Sequence, residues 1–337
     1  MRLDATIIPE GPRVSVHYVA FDSFGVKSMC TRIETPDVQL TIDPGVSLQL
    51  ATFPLPQERR EALLQEYREA VRAAAAKSQV IVISHYHLDH FTLARDPHLY
   101  SGKVVFAKAL DDLPQQQRAT AQRFFQTIDG LPQEVIWADG RRFRFRKTEV
   151  GFSQPTWHGP QEAEPGQVLM TEVRRGRERV LVTSDVSGPT DGATTDAICA
   201  ANARDLVIDG YPTFLLGQGA ADIGLVQSIV NLCRILSQRS VKTLVVDHHL
   251  CRDYRYPVLL KLVYDKARRL KKRFGTAAEL LGRSSAVIEG YQNYGPTKWH
   301  RWQPLELTAA RKVLEQAVAQ KRLDTQWLSG FDRWVAT

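Results

Sequence analysis

The chain has 337 residues, of which 43% are hydrophobic and 24% are charged, and its net charge is +7. A chain of this length and composition can bury a sizeable core as a soluble protein. No apolar run approaches the roughly 18–20 residues that cross a bilayer, and the N-terminus lacks a signal-peptide apolar region. We therefore expect a cytoplasmic protein without a membrane partner. The positive charge favours an anionic partner, either a small molecule or a nucleic acid, and leaves the oligomeric state open.

The first hundred residues are predicted to form mainly strands. Short segments that contain β-branched residues, separated by turn sequences, predict strands over 14–20, 28–34 and 38–42. Residues 56–77 carry apolar side chains at helical spacing and predict a helix. The unbroken apolar run over 80–83 is typical of a strand that is buried on both faces.

Strands and helices continue to alternate along the middle of the chain. Further strands are predicted over 103–107, 134–137, 142–150, 168–173, 180–183, 206–208 and 243–246. Further helices are predicted over 111–127, 223–236 and 258–273. The strand over 142–150 alternates arginine with phenylalanine, so one face is expected to be apolar and the other charged.

The last fifty residues change in character. Residues 298–302 interleave two tryptophans with basic side chains, and a helical stretch follows over 307–320. We interpret residues 1–285 as one domain and residues 286–337 as a helical C-terminal extension that packs on it.

The positions of the histidines point to a metal site. Six of the nine histidines lie at the ends of predicted strands or in the turns that follow: His85, His87, His90, His158, His248 and His249. Residues two apart in an extended segment point the same way, so His85 and His87 can bind one ion together. Asp89 and His90 follow where the chain bends, and can serve a second ion. Imidazole and carboxylate are ligands that zinc-type ions prefer in catalytic sites.

Two ions need more ligands than residues 85–90 provide, and later positions offer candidates. His158 lies in a predicted turn, and Asp185 lies at a strand end where it can bridge two ions. The pair His248 and His249 ends another strand. Two ions about 3.5–4 Å apart can polarise a substrate oxygen and hold a hydroxide near neutral pH.

The order of these residues, HxHxDH followed by separate His, Asp and His, resembles the metallo-β-lactamase superfamily. The sequence is more closely similar to the uncharacterised, archaeal-type proteins of the UPF0282 family, over roughly residues 12–283. The shared segments are residues 42–45, 84–90, 158–160, 184–189, 208–213, 247–253 and 276–279.

The resemblance implies an αββα sandwich, in which two mixed sheets are flanked by helices and the site lies at one edge. It implies a first metal held by His85, His87 and His158. It implies a second metal held by Asp89, His90 and His248. Asp185 would bridge the two ions, and Asp43 would support the site through hydrogen bonds.

Three assignments have alternatives. His248 is favoured as the ligand over His249 because it lies nearer the strand end, and the other histidine would bind substrate or hydrogen-bond a ligand. Asp209 is either a turn residue or a group that supports a ligand or contacts substrate. Tyr86 points away from the histidines in an extended segment, so we expect it to pack in the core.

We expect a dinuclear metal-dependent hydrolase whose metal-bound hydroxide attacks a phosphodiester or another anionic substrate, with nucleic acid included. The ions are expected to be zinc, with manganese or iron as alternatives, and Asp89 would orient the hydroxide. No segment resembles the extra domain of the nucleases in this superfamily, which weighs against a nuclease. The alternatives are a lactone or thioester hydrolase and a non-catalytic metal-binding interaction protein.

Overall fold

A computed structural model describes residues 14–92, 95–159, 166–217, 222–295 and 304–337. Pro160 and the tryptophan-containing segment 298–302 lie outside these described residues. Within the described part of the chain, no helix combines the length and the apolar character that crossing a bilayer requires.

The first sheet has six strands in chain order. The first three pair antiparallel and the last three join them in parallel. The strands are β1 (Ser15–Phe21), β2 (Met29–Glu34), β3 (Gln39–Ile42), β4 (Val80–Ile83), β5 (Val104–Ala107) and β6 (Glu134–Trp137).

The second sheet has seven strands in the order β15-β14-β13-β12-β11-β8-β7. The four from β12 to β15 run parallel, and the others pair antiparallel. A separate short ribbon is formed by β9 and β10. The bounds are β7 (Arg142–Phe145), β8 (Thr148–Phe152), β9 (Thr156–Trp157), β10 (Gln167–Val168), β11 (Thr171–Arg175), β12 (Glu178–Val182), β13 (Asp205–Ile208), β14 (Thr243–Val246) and β15 (Arg273–Gly275).

Ten helices accompany the sheets among the described residues. They are α1 (Gln57–Ala76), α2 (Gln115–Thr127), α3 (Gly192–Ala200), α4 (Asp222–Leu236), α5 (Tyr256–Leu259), α6 (Lys261–Arg269), α7 (Ala277–Leu280), α8 (Ala286–Tyr294), α9 (Leu307–Ala319) and α10 (Gln326–Trp334). Short helical turns at Asp22–Phe24 and His248–Arg252 contribute side chains to the site described below.

Alternating side chains of the buried strands form the layers of the fold. Val80 and Val82 of β4 pack in the core between the two sheets, together with Val207 of β13. Ile81 and Ile83 point to the opposite face, where they pack with α2. Leu206 and Ile208 point outward from the second sheet into a core that α3, α4 and α6 share. The predicted αββα sandwich is therefore confirmed, and double-sided burial explains the unbroken apolar strands.

The C-terminal helices pack on the second sheet's helical layer. Leu314 of α9 and Phe331 of α10 are buried in the same core as Ile229 of α4. The division of the chain at residue 285 stays a prediction.

Several predicted elements differ from those in the structure. The single strand over 142–150 is a hairpin of β7 and β8, because Arg146 adopts a left-handed conformation (φ 53°) that reverses the chain. The strand over 168–173 is divided between β10 and β11, and the helix over 258–273 ends at Arg269 before the edge strand β15. Helix α3 was not predicted, since its nine residues lack a marked apolar periodicity.

The alternating faces predicted for the arginine-phenylalanine segment are confirmed. Phe143 and Phe145 pack against the core between the sheets. Arg142 and Arg144 lie on the exposed side and form ion pairs with Glu149. Tyr86 is also buried as predicted, and its hydroxyl donates a short hydrogen bond to the Lys108 carbonyl.

Candidate metal centre

The candidate ligands meet at the carboxyl ends of parallel strands from both sheets. Residues 85–90 follow β4 of the first sheet. The turns after β12, β13 and β14 of the second sheet place Asp185, Asp209 and His248 at the same edge. Since parallel strands deliver their carboxyl ends to one side of a sheet, residues far apart in sequence are assembled here.

Asp185 lies at the centre of the cluster and is 1% exposed. Its Oδ2 atom lies within 3.6 Å of the Nε2 atoms of five histidines. The distances are 3.1 Å to His158, 3.2 Å to His90, 3.5 Å to His249 and 3.6 Å to both His85 and His248. A buried carboxylate surrounded by imidazole nitrogens provides the donor set of a metal site.

The potential ligand atoms form groups in which all the atoms lie within 4.8 Å of one another. One group is His85, His87, His158 and Asp185. Another is Asp89, His90 and His248. These groups correspond to the two ligand sets that the family resemblance implied, and each can hold a metal ion. His85 Nε2 lies 3.0 Å from His87 Nδ1, so these two side chains reach the same point as predicted.

The neighbouring histidines His248 and His249 differ in their surroundings. His248 Nε2 lies 3.8 Å from Asp89 Oδ2, and its Nδ1 lies 2.7 Å from Asp22 Oδ2. His249 Nδ1 instead lies 2.9 Å from Asp209 Oδ2. Among the described residues, His249 enters a ligand group only with Asp185 and His248. The geometry therefore groups His248, and not His249, with Asp89 and His90.

Asp43 ties the histidine-rich turn to the second sheet. Its Oδ1 accepts a hydrogen bond from the Ser84 amide (2.8 Å), and its Oδ2 accepts one from the Ser84 hydroxyl (2.6 Å). The same Oδ2 lies 2.9 Å from His90 Nδ1, which turns the other ring nitrogen of His90 toward Asp185. The Ser84 and Ser184 hydroxyls lie 2.6 Å apart across the two sheets.

The backbone is strained at several of these positions. Asp43, Ser184 and His248 have φ angles of 50°, 56° and 41°, in the left-handed region that residues other than glycine rarely adopt. Such strain is typical of functional sites whose surroundings hold the side chains in place.

Two further charged residues in the site were not predicted from the sequence. Asp22 is fully buried and accepts hydrogen bonds from Arg252 Nε (2.7 Å), Gln49 Nε2 (2.8 Å) and the Ser28 amide (3.0 Å). Arg252 Nη2 lies 3.2 Å from Asp89 Oδ2 and 3.3 Å from the Nε2 of His248. Arg252 lies within the shared segment 247–253, which could have indicated it, whereas Asp22 lies outside every shared segment.

Burial and neighbouring charges divide the histidines into two classes. Burial and the neighbouring His90 hold the pKa of His85 well below its ordinary value, and burial with His158 lowers the pKa of His87 to about 4. Burial also lowers the pKa of His90, but Asp185 and Asp43 outweigh it and raise this pKa well above the ordinary value. Burial is likewise outweighed at His248, where Asp185 and Asp22 raise the pKa to about 10.

Asp209 supports the turn that carries Asp185. It accepts hydrogen bonds from the amides of Ser187 (2.8 Å) and Gly188 (3.2 Å) while it contacts His249. Burial and the charge of Asp185 raise the pKa of Asp209 to about 7. Asp209 therefore contacts both a turn and a histidine of the cluster, and its role toward a ligand or a substrate stays a prediction.

Two cavities flank the cluster. One has a volume of about 540 Å³ and is lined by Arg252 and by the aromatic rings of Phe53, Phe214, Tyr254 and Tyr291. The other has a volume of about 480 Å³ and is lined by residues that include His87, Leu88 and Gln117. Both volumes are in the range of small-molecule sites.

Comparisons with known proteins give relatives for most of the chain, although no family model matches it. A UPF0282 protein from Metallosphaera sedula is 35% identical over 285 residues, which is 82% of this chain and 90% of the relative. One from Methanopyrus kandleri is 35% identical over 288 residues, covering 82% and 96%. One from Korarchaeum cryptofilum is 36% identical over 271 residues, covering 80% and 89%.

Solved structures resemble the fold at low sequence identity. Unliganded yeast PDE1 superposes with a TM-score of 0.51 at 11% identity, covering 78% of this chain and 97% of that one. The metallo-β-lactamase fold protein YhfI from Bacillus subtilis gives a TM-score of 0.49 at 14% identity, covering 81% and 97%.

The two stacked mixed sheets, their flanking helices and the histidine-aspartate cluster at one edge have the architecture that the resemblance to the metallo-β-lactamase superfamily implied. The chain belongs to the UPF0282 family. Both parts of the resemblance seen in the sequence are confirmed.

Proposed function

We propose that this protein is a metal-dependent hydrolase that holds two divalent ions and acts on a phosphodiester or another anionic substrate. The observation that carries the proposal is the convergence of five imidazole Nε2 atoms on Asp185 Oδ2. One carboxylate oxygen has too few lone pairs to accept hydrogen bonds from five imidazoles, whereas metal ions between the rings and the carboxylate would use all of these groups as ligands.

Unpartnered atoms in the cluster fit a bound metal. Asp185 Oδ1 is buried and has no hydrogen-bond partner among the described residues, and the buried His90 Nε2 makes no well-aligned hydrogen bond although it lies 3.2 Å from Asp185 Oδ2. Buried polar atoms normally have partners, and coordination would satisfy both. In the proposed assignment, one ion is held by His85, His87 and His158. The other is held by Asp89, His90 and His248, and Asp185 is shared. Nitrogen and carboxylate ligands fit zinc best, with manganese or iron as alternatives.

The protein's own residues orient these ligands and leave room for a substrate. When bound, divalent ions lower the pKa of a water and polarise the electrophilic centre. Asp43 and Asp22 fix the rings of His90 and His248 through their Nδ1 atoms. Asp89, which Arg252 holds in place, would orient the nucleophile.

The position of Arg252 is the reason for proposing an anionic substrate. Arg252 lines the 540 Å³ cavity while its guanidinium pairs with Asp22 and Asp89, so an anionic group that enters this cavity approaches a cation held next to the cluster. The basic residues of the second sheet are already paired, Arg142 and Arg174 with Glu149 and Arg175 with Asp37. We therefore favour a small anionic substrate over a nucleic acid.

The test combines metal analysis with an activity assay on the purified protein. We expect about two zinc-type ions per chain and hydrolysis of bis-p-nitrophenyl phosphate, and we expect His87→Ala to abolish hydrolysis and reduce the metal content. The matched control is His98→Ala, because His98 is exposed and lies outside the cluster.

Other outcomes would favour the alternatives. Turnover of a lactone or thioester by the metal-loaded protein, without turnover of the phosphodiester, would replace the proposed substrate class. A fully metallated protein that hydrolyses none of the three would support a metal-binding interaction protein instead.

A further inference from the structure

A third cavity lies beside the turn that carries Asp89 and His90, and it shares only Leu88 with the two cavities already described. It has a volume of about 300 Å³ and lies between α1, the loop after β3 and residues of the ranges 88–92 and 95–99. Its floor is apolar and includes Leu64, Val71, Phe91 and Leu99. Its rim carries three arginines, Arg68, Arg72 and Arg95. We call this cavity the arginine cleft.

The charge of the arginine cleft is incompletely neutralised. Asp96 is the only acidic residue that lines it among the described residues, and its Oδ1 accepts hydrogen bonds from Arg72 Nη2 (2.8 Å) and Nε (3.0 Å). Arg72 also contacts Glu69. Neither Arg68 nor Arg95 makes a side-chain hydrogen bond or an ion pair within the part of the chain that the structure describes. Burial and the charge of Arg95 lower the pKa of Arg68, and the charge of Asp96 only partly offsets them.

The cleft also presents an apolar surface. Leu88 belongs to the histidine-rich turn, is 54% exposed and lines this cleft. A ligand that carries an apolar group would cover Leu88 and the floor, whereas an inorganic anion would reach only the rim. Apolar walls with a few convergent charged groups are the usual composition of a small-molecule site.

We propose that the arginine cleft is a binding site for a small organic anion, whose charged group lies between Arg68 and Arg95 and whose apolar group lies on the floor of the cleft. Arg68 is half-buried on α1 and Arg95 is exposed on the opposite wall, so a ligand contacting both would link the helix to the segment after the histidine motif. This proposal does not depend on the proposed function, because none of the candidate metal ligands contributes to the lining.

Calorimetric titration with three probes tests the proposal on the full-length protein as purified. Hexane-1-sulfonate carries both a charge and an apolar group, methanesulfonate carries the charge alone, and hexan-1-ol carries the apolar group alone. We expect hexane-1-sulfonate to bind at least about tenfold more tightly than either of the others, because only it uses both rim and floor. Equal binding of hexan-1-ol would overturn the role of the arginines.

The double variant Arg68→Gln/Arg95→Gln should weaken binding of hexane-1-sulfonate by about tenfold or more, the equivalent of losing one charged hydrogen bond. Arg59→Gln/Arg123→Gln removes the same charge from exposed positions outside the cleft and should bind like the parent protein. Equal losses in both double variants would show a general charge effect and contradict the proposal.

Two further variants keep the result interpretable. If the double variant unfolds, Arg95→Gln alone changes only an exposed side chain and should still weaken binding. His87→Ala removes a candidate metal ligand and should leave hexane-1-sulfonate binding unchanged. Loss of binding in His87→Ala would place the anion at the metal centre and overturn the proposal.

Discussion

Asp22 Oδ2 lies 2.7 Å from His248 Nδ1, so a turn that follows the first strand supports a histidine that follows the fourteenth. Asp22 also holds Arg252, which in turn contacts Asp89. One buried carboxylate thus positions two members of the group formed by Asp89, His90 and His248. Hydrogen bonds of this kind fix the ring orientation of a metal-binding histidine.

Replacing this carboxylate should weaken metal binding. We expect Asp22→Asn to reduce the affinity for zinc at pH 7.5 by about 10–100-fold, because the neutral amide removes the charge that supports His248 and Arg252 and turns an NH2 group toward one of the donors that Asp22 accepts from. Competition with a zinc chelator measures the change. Asp37→Asn is the control, since Asp37 pairs with Arg175 and contacts none of the cluster residues. Equal affinities in parent and Asp22→Asn would contradict the supporting role.

The two adjacent histidines should behave differently on truncation. His248→Ala is expected to lose about one of the two proposed ions, because His248 is grouped with Asp89 and His90. His249→Ala is expected to keep both ions, because His249 lies beside Asp209 and is not a member of the group formed by Asp89, His90 and His248. Elemental analysis of the purified variants counts the metal per chain. The opposite pattern would assign the ligand to His249.

Metal binding should become tighter as the pH rises. The pKa of His248 is about 10 without a bound metal, and the pKa of His90 is also raised. Both imidazoles are therefore cations, protonated on both ring nitrogens, at neutral pH. A protonated imidazole cannot bind a metal, and the proton therefore competes with the ion. We expect the zinc affinity to rise by at least about tenfold per pH unit between pH 6.5 and 8.5.

Calorimetry in buffers of different ionisation enthalpy counts the released protons directly. Between one and two protons should leave per chain on loading of the second site. Binding without proton release, or an affinity that is constant with pH, would show that the two rings are already neutral.

A small residue is required where the loop after β3 crosses the histidine-rich turn. A Cβ atom at Gly45 would lie 2.2 Å from the Phe91 amide nitrogen and 2.5 Å from that of His90. We expect Gly45→Ala to reduce the free energy of unfolding by about 1–3 kcal/mol, because backbone atoms must move. Denaturant unfolding measures it. Gly192→Ala is the control, since a Cβ there meets no atom within 4 Å, and it should unfold like the parent.

The sequence predicted those features that depend on local patterns. The apolar run of β4 predicted a buried strand. The spacing of His85 and His87 predicted that their ring nitrogens lie close together. The family resemblance supplied the order of the distant ligands, including Asp185. The ligands predicted in these ways, such as His85 and Asp185, each come shortly after the end of a strand.

The features that the sequence did not predict depend on tertiary contacts. Asp22 and His248 are 226 residues apart, and nothing near Asp22 marks it as part of a site. The position nearer the strand end favoured His248 over His249, but the different partners of the two rings depend on how the helical turn after β14 directs them. The hairpin at Arg146 was missed because a left-handed arginine has no sequence signal of the kind that glycine provides.

The candidate ligands are divided between the two sheets, with His85 and His90 after a strand of the first and Asp185 and His248 after strands of the second. Ions held among them would therefore join the halves of the sandwich as a cross-link does. The free energy of metal binding would then add to the free energy of unfolding, and the melting temperature would rise with the concentration of free metal. The fraction of folded chains would in this way depend on the concentration of free metal around the protein.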